Sequence, residues 1–137
     1  MSGSIHEDMG HGAMTAAISD AMVGLVSRYT GRGATSSWTT LGKDLIVCVM
    51  GDSLTKGEKS LVQHGHREAV LSIRKAYQAS MAQEAIGVVE ELTGRRVAAF
   101  MSNNYIDPDL AVETFVLHPS PGAARSDSTS GGRAQLR

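Results

Sequence analysis

Three groupings in this chain hold residue types that could do chemistry: Gly51-Asp52-Ser53-Leu54, His6-Glu7-Asp8-Met9-Gly10-His11, and Gly31-Arg32-Gly33. The first is a string in which one class of esterases carries a nucleophilic serine. Such a serine needs a base to take its proton and donors for the oxyanion that develops. In those enzymes an Asp-x-x-His pair near the C-terminus supplies the rest of the triad. Here the residue three before His118 is Phe115, and the Asp-x-x-His spacing occurs only at Asp8 and His11, upstream of the serine. The element order is also not the alternating βαβ of that fold. Ser53 therefore reads as part of a link between a strand and a helix, and an esterase using Ser53 is a remote alternative.

The second grouping resembles the zinc-binding His-Glu-x-x-His, in which two histidines four residues apart share a helical face. His6 and His11 stand five apart, which turns them about 140° from each other on a helix. His64-Gly65-His66 is a second, weak histidine pair and reads as an exposed helix junction. No metal and no cofactor are expected. At Gly31-Arg32-Gly33 two glycines would let backbone amides approach an anion that Arg32 could grip with two bonds. The loop follows a helix instead of preceding one, so the positive helix N-terminus is missing, and glycine as a helix C-cap explains most of the string.

These residues must be positioned by one modest core. The chain has 137 residues, 42% of them hydrophobic, which suits a single domain. With 13 basic and 14 acidic side chains, its formal charge of -1 offers no broad attraction to nucleic acid or to an anionic membrane. No apolar run approaches the roughly 20 residues that cross a bilayer, so direct membrane insertion is not expected. The lone cysteine, Cys48, lies in the apolar run LIVCVM, reads as a small buried hydrophobe, and fits a cytoplasmic location.

Residues 1–12 read as a loose leader. From Met14, the residues Ile18, Ala21, Met22, Leu25, Val26 and Tyr29 recur at helical spacing up to the glycines at 31 and 33. Thr35 to Leu41 and Asp44 to Met50 form a hairpin around Gly42-Lys43. Thr55-Lys56-Gly57-Glu58 is a capping box that opens a short helix, with Leu54 placed as its hydrophobic staple. A long helix follows from Arg67 to Leu92, ending at the C-cap Gly94, with Val70, Ile73, Tyr77, Met81, Ala85, Val88, Val89 and Leu92 as its apolar stripe. Val97 to Ser102 and Ala111 to Leu117 make a second hairpin, turned at Asp107-Pro108-Asp109. The fold expected is α+β: helix, hairpin, short helix, long helix, hairpin, giving a four-stranded, mainly antiparallel sheet with helices packed on one face. The domain spans 13–118, and residues 119–137 are too poor in apolar side chains to offset their ordering entropy. A 26-residue stripe runs roughly 39 Å, longer than a small sheet can cover, which points to a homodimer.

The ordered strings YTGRG, LIVCVM, DSLTKGEKSLV, VLSIRKAYQ, VVEELTGRRV and VETFVL resemble the MpsC-like family, a domain-of-unknown-function family numbered 2294, over Met14 to Leu117. The most specific parts are Gly31-Arg32-Gly33, Leu54-Thr55-x-x-Glu58, Arg74 and Leu92-Thr93-Gly94-Arg95. Ala34 and Gly57 depart from the proline and alanine that members often carry there, and both leave the turn and cap reasoning intact. The resemblance implies small cytoplasmic proteins linked to a sodium-translocating, membrane-potential-generating system and to bicarbonate uptake. It supplies no catalytic residues. The function expected is a non-enzymatic accessory or regulatory domain acting through protein contacts, with the cytoplasmic face of a membrane transport complex as a partner. The alternative is a small-ligand or anion-binding sensor using Gly31, Arg32, Gly33 and Arg74, while Thr55, Glu58 and Gly94 are expected to be structural.

Overall fold

The computed structural model describes residues 10–120. Among these, the elements run α1 (His11–Thr30), β1 (Ser36–Leu41), β2 (Leu45–Gly51), α2 (Lys56–Gln63), α3 (Arg67–Thr93), β3 (Val97–Tyr105) and β4 (Leu110–Leu117). The expected α+β order is therefore the observed one. The leader and tail lie mostly outside the described residues, but His11 and Gly12, placed in the leader, belong to the first turn of α1. Buried Met14 explains the earlier start, because its N–H is satisfied inside the helix by Gly10 O at 2.9 Å.

The sheet order is β1-β2-β4-β3, and every neighbouring pair is antiparallel. Period-two alternation gives each strand one inward set of side chains. Ile46, Cys48 and Met50 on β2 pair with Phe115, Glu113 and Ala111 on β4, and all six are buried. α1 lies over β1 and β2, while α3 packs on β3 and against α1. Met14, Ile18, Met22, Leu25 and Val26 of α1 and Met81, Ala85 and Val89 of α3 fill the space between. Phe100 and Phe115 meet there with ring centroids 4.9 Å apart, a tilted aromatic contact. Burial pushes the Cys48 thiol upward in pKa, as expected for a cysteine used as a hydrophobe.

The long helix differs from its expected stripe in two ways. Ile73 is 40% exposed, whereas Arg74 is buried, so the inward line runs Val70, Arg74, Met81, Ala85 and Val89. Its surplus length is covered within the chain: Val70 joins Leu54 and Ile106 in a second small core, flanked by Leu61, Val62 and Leu71. The overhanging first turns of α3 are thus clad by α2 and by the β3–β4 turn, which contains a cis Asp107–Pro108 bond. A second copy is not needed to cover them.

Both parts of the expected capping box are present. Glu58 N–H donates to Thr55 Oγ1 at 3.1 Å, and Thr55 N–H donates to Glu58 Oε1 at 2.7 Å. Thr55→Ala is expected to lower stability by about 1 kcal/mol in urea unfolding, since it removes one half of this exchange.

Candidate functional site

β2 ends at Gly51, and the chain turns through Asp52 in a left-handed conformation, φ 60°. An aspartate tolerates that region better than most residues, and here it is held from several sides. Asp52 N–H donates to Asp109 O at 3.0 Å in the β3–β4 turn. Its carboxylate meets Arg32 at 2.7 Å, Thr35 Oγ1 at 2.9 Å and Lys59 Nζ at 3.0 Å. Hydrogen bonds from Lys59 and Thr35, with Arg32 adding to them, hold its pKa down at about 2. One side chain of the Gly-Asp-Ser-Leu string thereby ties the end of α1, the start of β1 and the first turn of α2 together.

The next residue faces inward. Ser53 is fully buried, and its hydroxyl has no hydrogen-bond partner. No base holds its proton, and its backbone carbonyl accepts from Arg74 Nη2 at 2.6 Å. Arg74 also donates to both Glu58 carboxylate oxygens, Nε to Oε2 at 3.0 Å and Nη2 to Oε1 at 2.6 Å. The ion pair is almost wholly desolvated, with side-chain exposures of 4% and 6%. Leu54 N–H is taken by Asp109 Oδ2 at 3.0 Å. Residues 52–55 are therefore pinned at every step.

The sequence-selected residues converge on this loop. Arg32 Nη2 donates to Asp52 O at 3.1 Å and Arg74 to the carbonyl one residue later, so the two candidate ligand-binding arginines grip successive peptides. Arg74 is enclosed and committed to Glu58. Arg32 is half-buried, engaged by Asp52, and keeps a buried Nε without a partner. Gly31 is the left-handed C-cap of α1, φ 84°, with its N–H on Ser27 O at 2.8 Å. At Gly33 a Cβ would come within 3.3 Å of Val23 Cγ1, so the loop's close approach to α1 favours glycine. Gly94 stands apart from this site as the C-cap of α3, φ 71°. Beside it Arg95 reaches past the helix end to Lys43 O, Asp44 Oδ1 and His118 O, at 3.0, 2.7 and 2.8 Å. His64 and His66 are exposed at the α2–α3 junction, and among the described residues no cluster of three potential metal ligands occurs.

Sequence reasoning passed over Glu113. It sits on β4 between Ala111 and Phe115 along the inward face, opposite Cys48 on β2 and Ser102 on β3. Strand alternation alone marks it, since the same face carries Ala111, Phe115 and Leu117. Burial pushes its carboxyl up to about 7, with Ser102 and the Arg74 charge pulling in the other direction. The carboxyl therefore binds a proton near neutrality inside the fold.

The outward face of the sheet is the other distinctive surface. Trp38 and Thr40 of β1, Leu45, Val47 and Val49 of β2, Val112, Thr114 and Val116 of β4, and Ala99, Met101, Asn103 and Tyr105 of β3 share it by register. None of these side chains is charged. Trp38, Leu45, Met101 and Tyr105 are exposed by 52, 42, 47 and 61%. No described helix covers them, because α1 and α3 both lie on the opposite side.

Fold and site together define a two-layer α+β domain, with its charged motif residues used as internal ties and one sheet face left open among the described residues. The chain belongs to the MpsC family, whose description is Na+-translocating membrane potential-generating system (MpsC), matched over residues 11–119. No curated protein and no solved structure matches it. Among the described residues no helix is long and apolar enough to cross a membrane.

Two measurements test the interior. Arg74→Ala should destabilise the protein by roughly 3–5 kcal/mol in urea unfolding, because Glu58 is left as a buried unpaired charge. For Glu113 the folded chain keeps a proton between about pH 4.5 and 7 that the unfolded chain has lost, so stability must fall as pH rises across that window. Glu113→Gln should remove this slope, matching the wild type near pH 4.5 and exceeding it by up to roughly 3 kcal/mol at about pH 8.

Proposed function

We propose that this chain is a non-enzymatic accessory or regulatory domain that works through protein contact, within a sodium-translocating, membrane-potential-generating system. The observation that carries the reading is the open sheet face. Monomeric proteins rarely expose contiguous apolar patches beyond a few hundred Å², and larger ones mark interaction surfaces. Here four strands present aromatic, methionine and β-branched side chains without a charge among them. The family description supplies the system in which such contact would matter.

The interior supports the same reading. Arg74, Glu58 and Thr55 spend their hydrogen-bonding capacity on one another and on the backbone, and the Asp52 carboxylate spends its own on Arg32, Thr35 and Lys59, which suits a rigid scaffold presenting a surface. On this proposal the protein acts at the cytoplasmic side of its membrane partners.

Deleting the gene should lower the sodium-dependent membrane potential of the source cells, read with a voltage-sensitive dye. Wild-type chain should restore it, whereas Trp38→Glu should not, since one charge on the open face opposes desolvation there. An unchanged sodium-dependent potential in the deletion strain would remove the reading.

A further inference from the structure

We infer that the open sheet face is covered by a second copy of this chain, packed face to face through a two-fold axis lying between the two sheets. This names the partner of the surface described above and rests on that surface being an interaction site. Three features of the face select this occupant.

The first is the pattern of β2. A one-sided antiparallel sheet alternates apolar-in and polar-out, while strands buried on both faces read as continuous apolar runs. β2 is Leu-Ile-Val-Cys-Val-Met-Gly, apolar on both sides, and β4 sets Val112, Thr114 and Val116 outward beside it. The two central strands are thus built like strands of a sandwich with one layer missing. α1 and α3 supply the inner layer.

The second is charge. A foreign surface brought against this face would have to strip water from its own charges with no counter-charge to meet them. A second copy brings no charge. The outward positions of β1, β2, β3 and β4 hold only Trp, Ser, Thr, Leu, Val, Ala, Met, Asn and Tyr side chains, apart from glycine. In a two-fold arrangement the same patch serves both sides, so an uncharged face is automatically compatible with itself.

The third is size. The strands hold 6, 7, 9 and 8 residues. At about 4.8 Å between strands and about 3.4 Å per residue they present roughly 19 by 25 Å. Two such faces remove roughly 1,000 Å² of flat area before side-chain relief is counted, which reaches about the lower bound for a specific interface. β-branched residues at the centre, Val47, Val49, Val112 and Thr114, make a low surface over which another sheet can settle at about 10 Å. The larger Trp38, Met101 and Tyr105 lie on the two edge strands.

Sedimentation equilibrium of the full chain tests this. Wild type should sediment at twice the 14.5 kDa chain mass. Thr114→Lys, at the centre of the face, and Met101→Lys, on an edge strand and 47% solvent-exposed within a single chain, should each sediment as monomers. Both should keep the wild-type far-ultraviolet spectrum, since Met101 belongs to neither core cluster and Thr114 is on the outward face. Gln83→Lys, on the exposed side of α3, should remain dimeric. A monomeric wild type overturns the inference, and so does a dimer that survives both face substitutions or is lost in Gln83→Lys. The broader reading is decided separately: if the wild type is monomeric yet Met101→Lys still fails to restore the sodium-dependent potential, the dimer is overturned and the face is an interaction site for a different partner. If Met101→Lys is monomeric and restores the potential in full, the face dimerises but does not carry the function.

Discussion

The guanidinium of Arg74 lies inside the protein, bonded to both oxygens of Glu58 and to the carbonyl of Ser53. A pair so fully desolvated costs several kcal/mol per charge to bury, and only complete hydrogen bonding compensates for that. Here the compensation comes from three elements at once. Glu58 lies in the first turn of α2 and closes its capping box, Arg74 projects from α3, and Ser53 belongs to the loop leaving β2. Moving Glu58 or Arg74 would strand a charge, and moving Ser53 would take away an acceptor of the buried guanidinium. The start of α2, the loop at 52–55 and the first half of α3 therefore behave as one unit, which lets the second small core of Leu54, Val70 and Ile106 form beside it.

A second tie reinforces the first from outside. Asp52 holds Arg32, Thr35 and Lys59 around the same loop, and Asp109 takes the N–H of Leu54. These exposed contacts are individually weaker than the buried pair, since solvent screens them. Their value is positional: they bring the C-terminus of α1 and the β3–β4 turn to the same point. Arg95 does a similar task at the other end, joining the end of α3 to the β1–β2 hairpin and to His118. With both ends tied, the sheet is held against α1 and α3, and among the described residues its other side stays open.

The local motifs were legible because each is satisfied within a few residues. Thr55 and Glu58 exchange hydrogen bonds across three positions, and Gly31 and Gly94 cap their helices in the left-handed conformation. The roles of Arg32 and Arg74 were not legible in the same way. An arginine beside two glycines is equally suited to a bound anion and to a carboxylate of the chain itself, and the choice depends on Asp52 and Glu58 arriving from other elements. Glu113 was overlooked although strand alternation points it inward, because an acidic residue is ordinarily assigned to solvent. Ile73 and Arg74 exchange their expected burial for a related reason. The helical period allows either to face inward, and only the position of Glu58 selects the arginine.

What the sequence determined by itself were the element types and their order, the capping box, the helix C-caps and the two hairpins. Each of these rests on periodicity or on bonds between near neighbours, so the local chain contains the whole cause. Tertiary structure alone decided that Arg32 and Arg74 hold successive peptides of one loop, that Ser53 is enclosed without a base, and that α3's surplus length is clad by α2. It also decided which side of the sheet the helices cover. Alternation divides every strand into two faces, but on β2 both faces are apolar, and only the packing of α1 and α3 shows which is filled and which lies open.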